Sequence, residues 1–225
     1  RTGRTEHYAL IEGRFDVMGG SMGGAHGERV VRAFKRATDE RLPVVVVTTS
    51  GGARLQEGMV ALVQMARTSA AAVNHAHAGL MQVALIRSPT TGGVYASYGS
   101  LGDVRAASPG ALIGFAGPRI VHETLNLDVN TDSHSAESAF KAGRIDAIVS
   151  DIDQPRWVEG VLGLRNLPPE AAEPFPRDLG AVDVDLTTPA DAWAAVQTVR
   201  AEKRPSGWQW ATALCESWVE LKGLD

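Results

Sequence analysis

Pro43-Val44-Val45-Val46-Val47-Thr48-Thr49-Ser50-Gly51-Gly52-Ala53-Arg54-Leu55 is the stretch from which the fold can be read. It begins as a β-branched run that is apolar on both sides of the strand alternation, as a parallel strand covered on both faces requires. The run breaks at a glycine pair. Beyond it Leu55, Met59, Leu62, Ala66 and Val73 recur at helical spacing through about His77. Strand, glycine turn and helix in that order predict half of a strand–helix–strand crossover.

The same order stands on either side. Upstream, His7–Val17 reads as a strand on Tyr8, Leu10, Phe15 and Val17. It meets Gly19-Gly20-Ser21-Met22-Gly23-Gly24 and then a helix over Glu28–Glu40 that carries Val30, Phe34 and Ala37. Downstream, Leu80–Ile86 reads as a strand, followed by Pro89-Thr90-Thr91-Gly92-Gly93 and a small-residue helix from Val94. The glycine pairs lie 32 and 41 residues apart, the length of one crossover. Parallel strands would therefore bring all three turns to one sheet edge, which is where α/β folds place ligands. Shorter strands are expected at Val104–Ala107, Leu112–Phe115 and Ile145–Val149, with helices near Pro118–Leu125 and Ser135–Lys141.

Composition narrows the class. With 225 residues, 44% apolar and 21% charged, the chain can bury a sizeable core without metals or disulfides. One cysteine, Cys215, can make neither an intrachain disulfide nor a cysteine-based zinc ribbon, and the reading is a reducing, cytoplasmic compartment. No apolar run approaches a membrane span, and no secretory leader is visible. A net charge of −4 with scattered Lys and Arg argues against a nucleic-acid surface. The chain opens on Arg1 rather than Met and is read as a fragment or as lacking its original N-terminus.

The two ends differ in build. Eighteen of 24 glycines precede residue 121, whereas seven of 11 prolines and all five tryptophans follow it, which separates a turn-rich body from a different C-terminal part. Three segments are expected: a body over 1–165, a proline-rich extended connector over 166–189, and a helical arm over 190–225. The arm holds two helices, Ala190–Glu202 and Gly207–Leu221, with Trp193, Trp208, Trp210 and Trp218 suited to docking.

A glycine pair between a buried strand and a helix exposes main-chain N–H groups at the positive end of the helix dipole, with no Cβ in the way. Such donors suit a phosphate or a developing oxyanion, although a single pair is equally a plain tight turn. Gly19–Gly24 lacks the lysine and Ser/Thr of a Walker A loop, and no correctly placed G-x-G-x-x-G follows a strand, which argues against nucleotide hydrolysis and hydride transfer.

Five segments carry a resemblance: Phe15–Gly23, Ser50-Gly51-Gly52-Ala53-Arg54-Leu55-Gln56-Glu57-Gly58, Gln64–Ala70, Pro89-Thr90-Thr91-Gly92-Gly93-Val94 and Pro109–Arg119. In this order, over about residues 8–150, they resemble the carboxyltransferase β subunit of bacterial acetyl-CoA carboxylase. The resemblance implies a biotin-dependent acyl-CoA carboxyltransferase on the ClpP/crotonase α/β fold, a ββα superhelix, here with a C-terminal helical arm. It implies that carboxybiotin arrives on a biotin carboxyl carrier protein charged by biotin carboxylase, and that its carboxyl group passes to the α-carbon of an acyl-CoA. In the mechanism it implies, the biotin ureido anion removes the α-proton, so no protein base is required, and none stands out in the sequence.

Residue by residue, the Thr-Thr-Gly-Gly turn places an oxyanion hole at Gly92 and Gly93, facing either the thioester or the biotin carbonyl. Gly19, Gly20, Ser21, Met22 and Gly23 are expected to shape the acyl-CoA and biotin pocket, together with Ser50, Gly51, Gly52, Ala53 and Arg54. Gly114, Phe115, Ala116 and Gly117 are expected to bind substrate. Arg54 is alternatively a structural fork to a carboxylate. Gly93→Val is expected to intrude on the oxyanion position, lowering the rate about 10²-fold or more with the fold intact.

The sequence also departs from the family. The four-cysteine zinc ribbon is absent, so no metal is carried over. Leu127–Ser135, with Asp128, Asn130, Asp132 and His134, replaces a Pro-Gly-Phe-Gln-like segment and leaves the substrate preference there open. No Met-Lys-Met biotinylation site occurs, so biotin must come on a partner. Trp193, Val196, Arg200 and Arg204-Pro205 resemble the opening helix of the companion α-type subunit, and the chain stops where an α-like core would begin.

Other readings of the same residues are plainer. His75 and His77 read as surface or capping residues, Met59, Met65 and Met81 as core fillers, and Glu28 and Glu57 as complements to helix dipoles. The rival activities are a serine hydrolase using Ser97 and His122 and a biotin-independent malonyl- or acyl-CoA decarboxylase on the same fold; a non-catalytic scaffold is the remaining reading.

Overall fold

A computed structural model describes residues 7–116, 122, 131–164, 193, 205–215 and 218–221. The chain divides into two compact units, one of residues 1–165 with 220–225 and one of residues 166–219.

In the first unit, β1 (Ala9–Glu12), α1 (Gly24–Asp39), β2 (Val44–Ser50), α2 (Met59–His77), β3 (Gln82–Thr91), the single-turn α3 (Gly92–Tyr95) and β4 (Val104–Ala107) follow one another. They lead into β5 (Ile113–Gly114), α4 (Ala136–Lys141), β6 (Ala147–Ile148) and α5 (Gln154–Val161). The sheet is wholly parallel, in the order β1-β2-β3-β4-β6, and β5 pairs with the end of β3 through Thr90↔Ile113 and Thr91↔Gly114.

The valine run of β2 is buried on both faces. Val44 and Val46 pack with Met22, Val30, Phe34 and Ala37 on the α1 side, while Val45 and Val47 pack with Val83, Leu85, Ala106 and the Val158 of α5. Burying each such side chain contributes about 1.5–3 kcal/mol, so β2 is the spine of the unit. A third cluster, Ile86, Ala107, Ile113, Ala136 and Ile145, closes the β4–β5–α4 end.

Several boundaries differ from expectation. β1 stops at Glu12 rather than Val17: residues 15–17 form a turn in which Val17 N–H donates to Arg14 C=O, and it leads into Met18, Gly19 and Gly20 with left-handed φ of 51°, 64° and 62°. β3 runs on to Thr91 because β5 supplies its second half with a partner. The predicted helix at 118–125 lies outside the described residues, except for His122.

The largest difference is on α2. Its helical period is as read, but the stripe Met59, Leu62, Ala66 and Val73 is exposed, while Ala61, Gln64, Thr68, Ala72 and His75 face the core. Met59 and Met81 are therefore surface residues, and only Met65 packs against the core. His75 is buried rather than superficial. Its Nδ1 is 2.8 Å from the Thr38 hydroxyl, its ring lies edge-on to Phe34, and among the described residues Nε2 makes no hydrogen bond of ordinary geometry. The inward face of α2 is small and polar because α1 crosses it closely; a Cβ on Gly27 would fall on the Gln64 side chain.

In the second unit, α6 (Gly207–Leu214) opens on a capping box between Ser206 and Gln209. Trp208 and Trp218 pack edge to face with centroids 4.3 Å apart. Of the connector and the first arm helix, only Trp193 falls among the described residues.

Candidate oxyanion site

The three glycine turns meet at one edge and are joined through their backbones. Gly51 N–H donates to Gly19 C=O at 2.9 Å, Met22 N–H to Gly52 C=O at 2.8 Å, and Arg54 N–H to Met22 C=O at 2.9 Å. The third turn abuts the second: Gly52 and Gly92 have φ of +116° and +59°, and a Cβ on Gly92 would lie 2.9 Å from the Gly52 Cα. Gly20 is equally constrained, since a Cβ there would fall on the Thr49 carbonyl oxygen. Glycine is required at these places by close backbone approach as well as by left-handed φ.

This knitting consumes most of the donors. Gly52 N–H donates to the Ser50 hydroxyl at 3.0 Å, and Gly92 N–H donates to Phe115 C=O at 2.9 Å. Ala53 in the second turn and Gly93 in the third are among the N–H groups of the junction that have no acceptor among the described residues. They are neighbours, because a Cβ on Gly93 would touch the Ala53 Cβ at 3.5 Å. Gly93 lies in the first turn of α3, where the dipole adds to the donor strength. A pair of free N–H groups from separate turns is an arrangement for holding an oxygen that gains negative charge.

Two expectations change. The Gly92 N–H is already paired with the Phe115 carbonyl and so is not a free donor. A side chain on Gly93 would point at the Met65 Sδ, 3.1 Å from its Cβ, and not into the open site, so Gly93→Val presses on the Met65 side chain of α2.

The other expected residues sort by contact. Arg54, whose side chain is only 15% exposed, is a structural fork: Nε and Nη2 donate to the Ser21 hydroxyl at 3.1 Å and the Ser21 carbonyl at 2.8 Å, and Nη1 pairs with Glu57 at 3.0 Å. Glu57 in turn accepts the Gly24 N–H at 2.6 Å and so caps α1 from across the junction. That N–H, with Arg54 behind it, holds the Glu57 carboxyl below its ordinary range. Met22 is buried beneath the turns, and a Cβ on Gly23 would fall on Glu57. Gly114 lies against the His134 ring, whose Cδ2 would be 2.7 Å from a Cβ, and Phe115 is exposed. Ala116 follows it, and Gly117 lies outside the described residues.

Ser97 is fully buried and donates its hydroxyl to the Gly93 carbonyl at 2.6 Å, so it steadies the turn and offers no accessible nucleophile. Glu28 bridges the helices as an ion pair to Arg32 and Arg67. Among the described residues no cluster of His, Cys, Asp and Glu gathers to hold a metal, and no helix is long and apolar enough to cross a membrane.

A cavity of about 450 Å³ adjoins the first two turns, between α1 and the end of β1. Leu10, Ile11, Val17 and Met18 give it an apolar lining, to which Glu12, Arg14, His26, Arg29 and Arg54 bring charged and polar groups, Arg14 and Arg54 already paired with Asp16 and Glu57. On its wall, His26 Nε2 lies 2.8 Å from the hydroxyl of the buried Tyr98. The sequence reading missed His26 and Tyr98, which are distant in the chain and carry no motif; it named Glu57 without seeing that it caps a helix two turns away.

The glycine turns thus gather at one edge of a wholly parallel sheet, with main-chain N–H groups between them. The chain belongs to the carboxyl transferase domain family, which matches residues 1–175. It is 48% identical over 148 residues to the carboxyl transferase subunit beta of acetyl-coenzyme A carboxylase from Clostridium novyi, covering 66% of this chain and 51% of that one. It is 37% identical over 214 residues to the fused beta/alpha subunits from Clostridium tetani, covering 95% and 37% respectively. The chain thus spans about half, or less, of the length of these relatives.

Among solved structures it resembles the transcarboxylase 12S core bound to methylmalonyl-coenzyme A, with a TM-score of 0.59, 29% identity, and coverage of 69% of this chain and 30% of that one. It also resembles the Pseudomonas malonate decarboxylase MdcD-MdcE hetero-dimer, with a TM-score of 0.60, 25% identity and 69% of each chain covered. These neighbours place the body in the crotonase-like fold.

Proposed function

We propose that this chain is the β-type half of a biotin-dependent carboxyltransferase, moving a carboxyl group between carboxybiotin and the α-carbon of acetyl-CoA or a related acyl-CoA. The observation that carries this reading is the pair of unpartnered N–H groups, Ala53 and Gly93, at the junction of the three turns. Held against the thioester oxygen, they stabilise the enolate that forms when the α-proton leaves. Removing one such donor costs about 10²–10³-fold in rate. Carboxybiotin, when delivered by a carrier, would supply both the carboxyl group and the base, so no side chain of this chain is asked to take the α-proton. The chain's own residues orient and shield. The cavity beside Ser21 and Arg54 takes the CoA moiety, and the Arg54–Glu57–Gly24 clasp fixes the second turn against α1.

An α-type subunit completes the site in this reading, with a carrier protein and biotin carboxylase supplying the carboxybiotin. The exposed stripe of Met59, Leu62, Val63 and Val73 on α2 supports a large docking partner, since contiguous apolar surface of this kind marks an interface. The body over 1–165, the connector over 166–189 and the arm over 190–225 suit a β-type unit tethered to α-type sequence, acting in the cytoplasm. Biotin-independent decarboxylation is the second reading, favoured only by the likeness to malonate decarboxylase.

Reverse transfer tests the proposal. The chain, copurified with its natural α-type partner, is given malonyl-CoA or methylmalonyl-CoA with a soluble biotin derivative. Loss of the carboxyl group that depends on biotin supports carboxyl transfer; loss without biotin supports the decarboxylase; no loss from the intact complex with either substrate contradicts both.

A further inference from the structure

His26 sits in the first turn of α1, 2.8 Å from the hydroxyl of Tyr98 and on the wall of the cavity. Tyr98 is 2% exposed, and the His26 Nε2 is the one hydrogen-bond partner its hydroxyl has among the described residues. A buried phenol that lacks an acceptor is costly, so Tyr98 must donate and His26 Nε2 must accept. That fixes the tautomer: the ring proton is on Nδ1, and His26 is a neutral donor with one nitrogen committed to Tyr98 and one without a partner among the described residues.

Its surroundings keep it so. Burial, and then the Arg54 guanidinium, push His26 below its ordinary range, while burial drives Tyr98 well above its own. The other charged groups lining the cavity are Glu12, Arg14 and Arg29.

We infer that His26, oriented by Tyr98, is a substrate-binding residue whose Nδ1–H donates a hydrogen bond to an acceptor on the CoA moiety, either a phosphate oxygen or an amide carbonyl. This rests on the acyl-CoA reading. It adds to that reading a recognition contact made by a side chain outside the glycine turns, with Tyr98 as its positioning residue.

Calorimetric titration of the full chain with acetyl-CoA and with acetyl-pantetheine tests it, using wild type, His26→Ala and Tyr98→Phe, each checked for native circular dichroism. The expected result is about five- to tenfold weaker acetyl-CoA binding for His26→Ala. A smaller loss is expected for Tyr98→Phe, which keeps the ring but frees the tautomer. A loss that persists with acetyl-pantetheine places the acceptor on the amide, and one that vanishes places it on the phosphates; either result supports the assignment. In the reconstituted enzyme the same variants raise KM and leave kcat within about twofold, a split that a purely structural role would not give. Unchanged affinity in a folded His26→Ala chain overturns the assignment while leaving the acyl-CoA reading standing. Absence of acetyl-CoA binding to the wild-type chain in complex with its α-type partner overturns both.

Discussion

At the scale of single residues, the site depends on where a Cβ cannot be. Gly92 has φ +59° and faces the Gly52 Cα at 2.9 Å from any added Cβ, so Gly92→Ala combines left-handed strain with a backbone clash. We expect it to cost about 1–2 kcal/mol of stability, read from denaturant unfolding. It also displaces Gly93 N–H, for a loss of about 10²-fold in transfer rate. Wild-type turnover in this variant would remove the turn from the mechanism. Much of this was legible in the sequence: the spacing of the glycine pairs led to one edge. It was not legible which N–H groups stay free, because that depends on Phe115 reaching Gly92 and Ser50 reaching Gly52, contacts that no local pattern encodes.

At the scale of elements, two titrating groups packed against α1, Glu57 in the turn before α2 and His75 on α2, act in different pH windows. Glu57, held low by Gly24 and Arg54, binds fewer protons folded than unfolded, so its contribution is present above its ordinary value of 4.5 and is lost as pH falls through its folded value. Glu57→Gln should therefore lower Tm at pH 6 and shrink the difference from wild type toward pH 3. A Tm difference that does not vary with pH would sink this account of the cap. His75 is also held low, chiefly by burial, with the Met81 carbonyl and Asp103 opposing more weakly. Here the unfolded chain takes the proton first, so stability begins to fall as pH drops below 6.5 and continues down to the folded value. His75→Phe should flatten that limb of a Tm-against-pH curve; an unaltered limb would assign the loss to other groups. Helical periodicity fixed the register of α2 but reversed its faces. The larger apolar side chains are turned outward, and close helix crossing leaves room only for small and polar residues inside.

At the scale of the whole molecule, that reversal is informative. The small inward face of α2 fits the close crossing of α1, while its larger apolar side chains, exposed on the outward face, are the surface that the proposed partner would cover. Leu62→Asp combined with Val63→Asp should leave the folding stability of the isolated chain within about 0.5 kcal/mol, as for exposed positions generally. It should also weaken association with the α-type subunit at least about tenfold, as seen in size-exclusion or calorimetric titration. Unimpaired assembly would move the interface elsewhere.

The claim on which the rest depends is that Ala53 and Gly93, and not Gly92, hold the oxyanion. It can be observed at the amides themselves. The 15N-labelled chain is titrated with an acyl-CoA analogue whose thioester is replaced by a nitro group, which ionises to an enolate-like nitronate, and the backbone amide signals are followed by NMR. The account predicts large downfield proton shifts at Ala53 and Gly93 on binding, with Gly92 nearly unmoved. Saturable binding that leaves Ala53 and Gly93 in place, or shifts Gly92 in their stead, would contradict it.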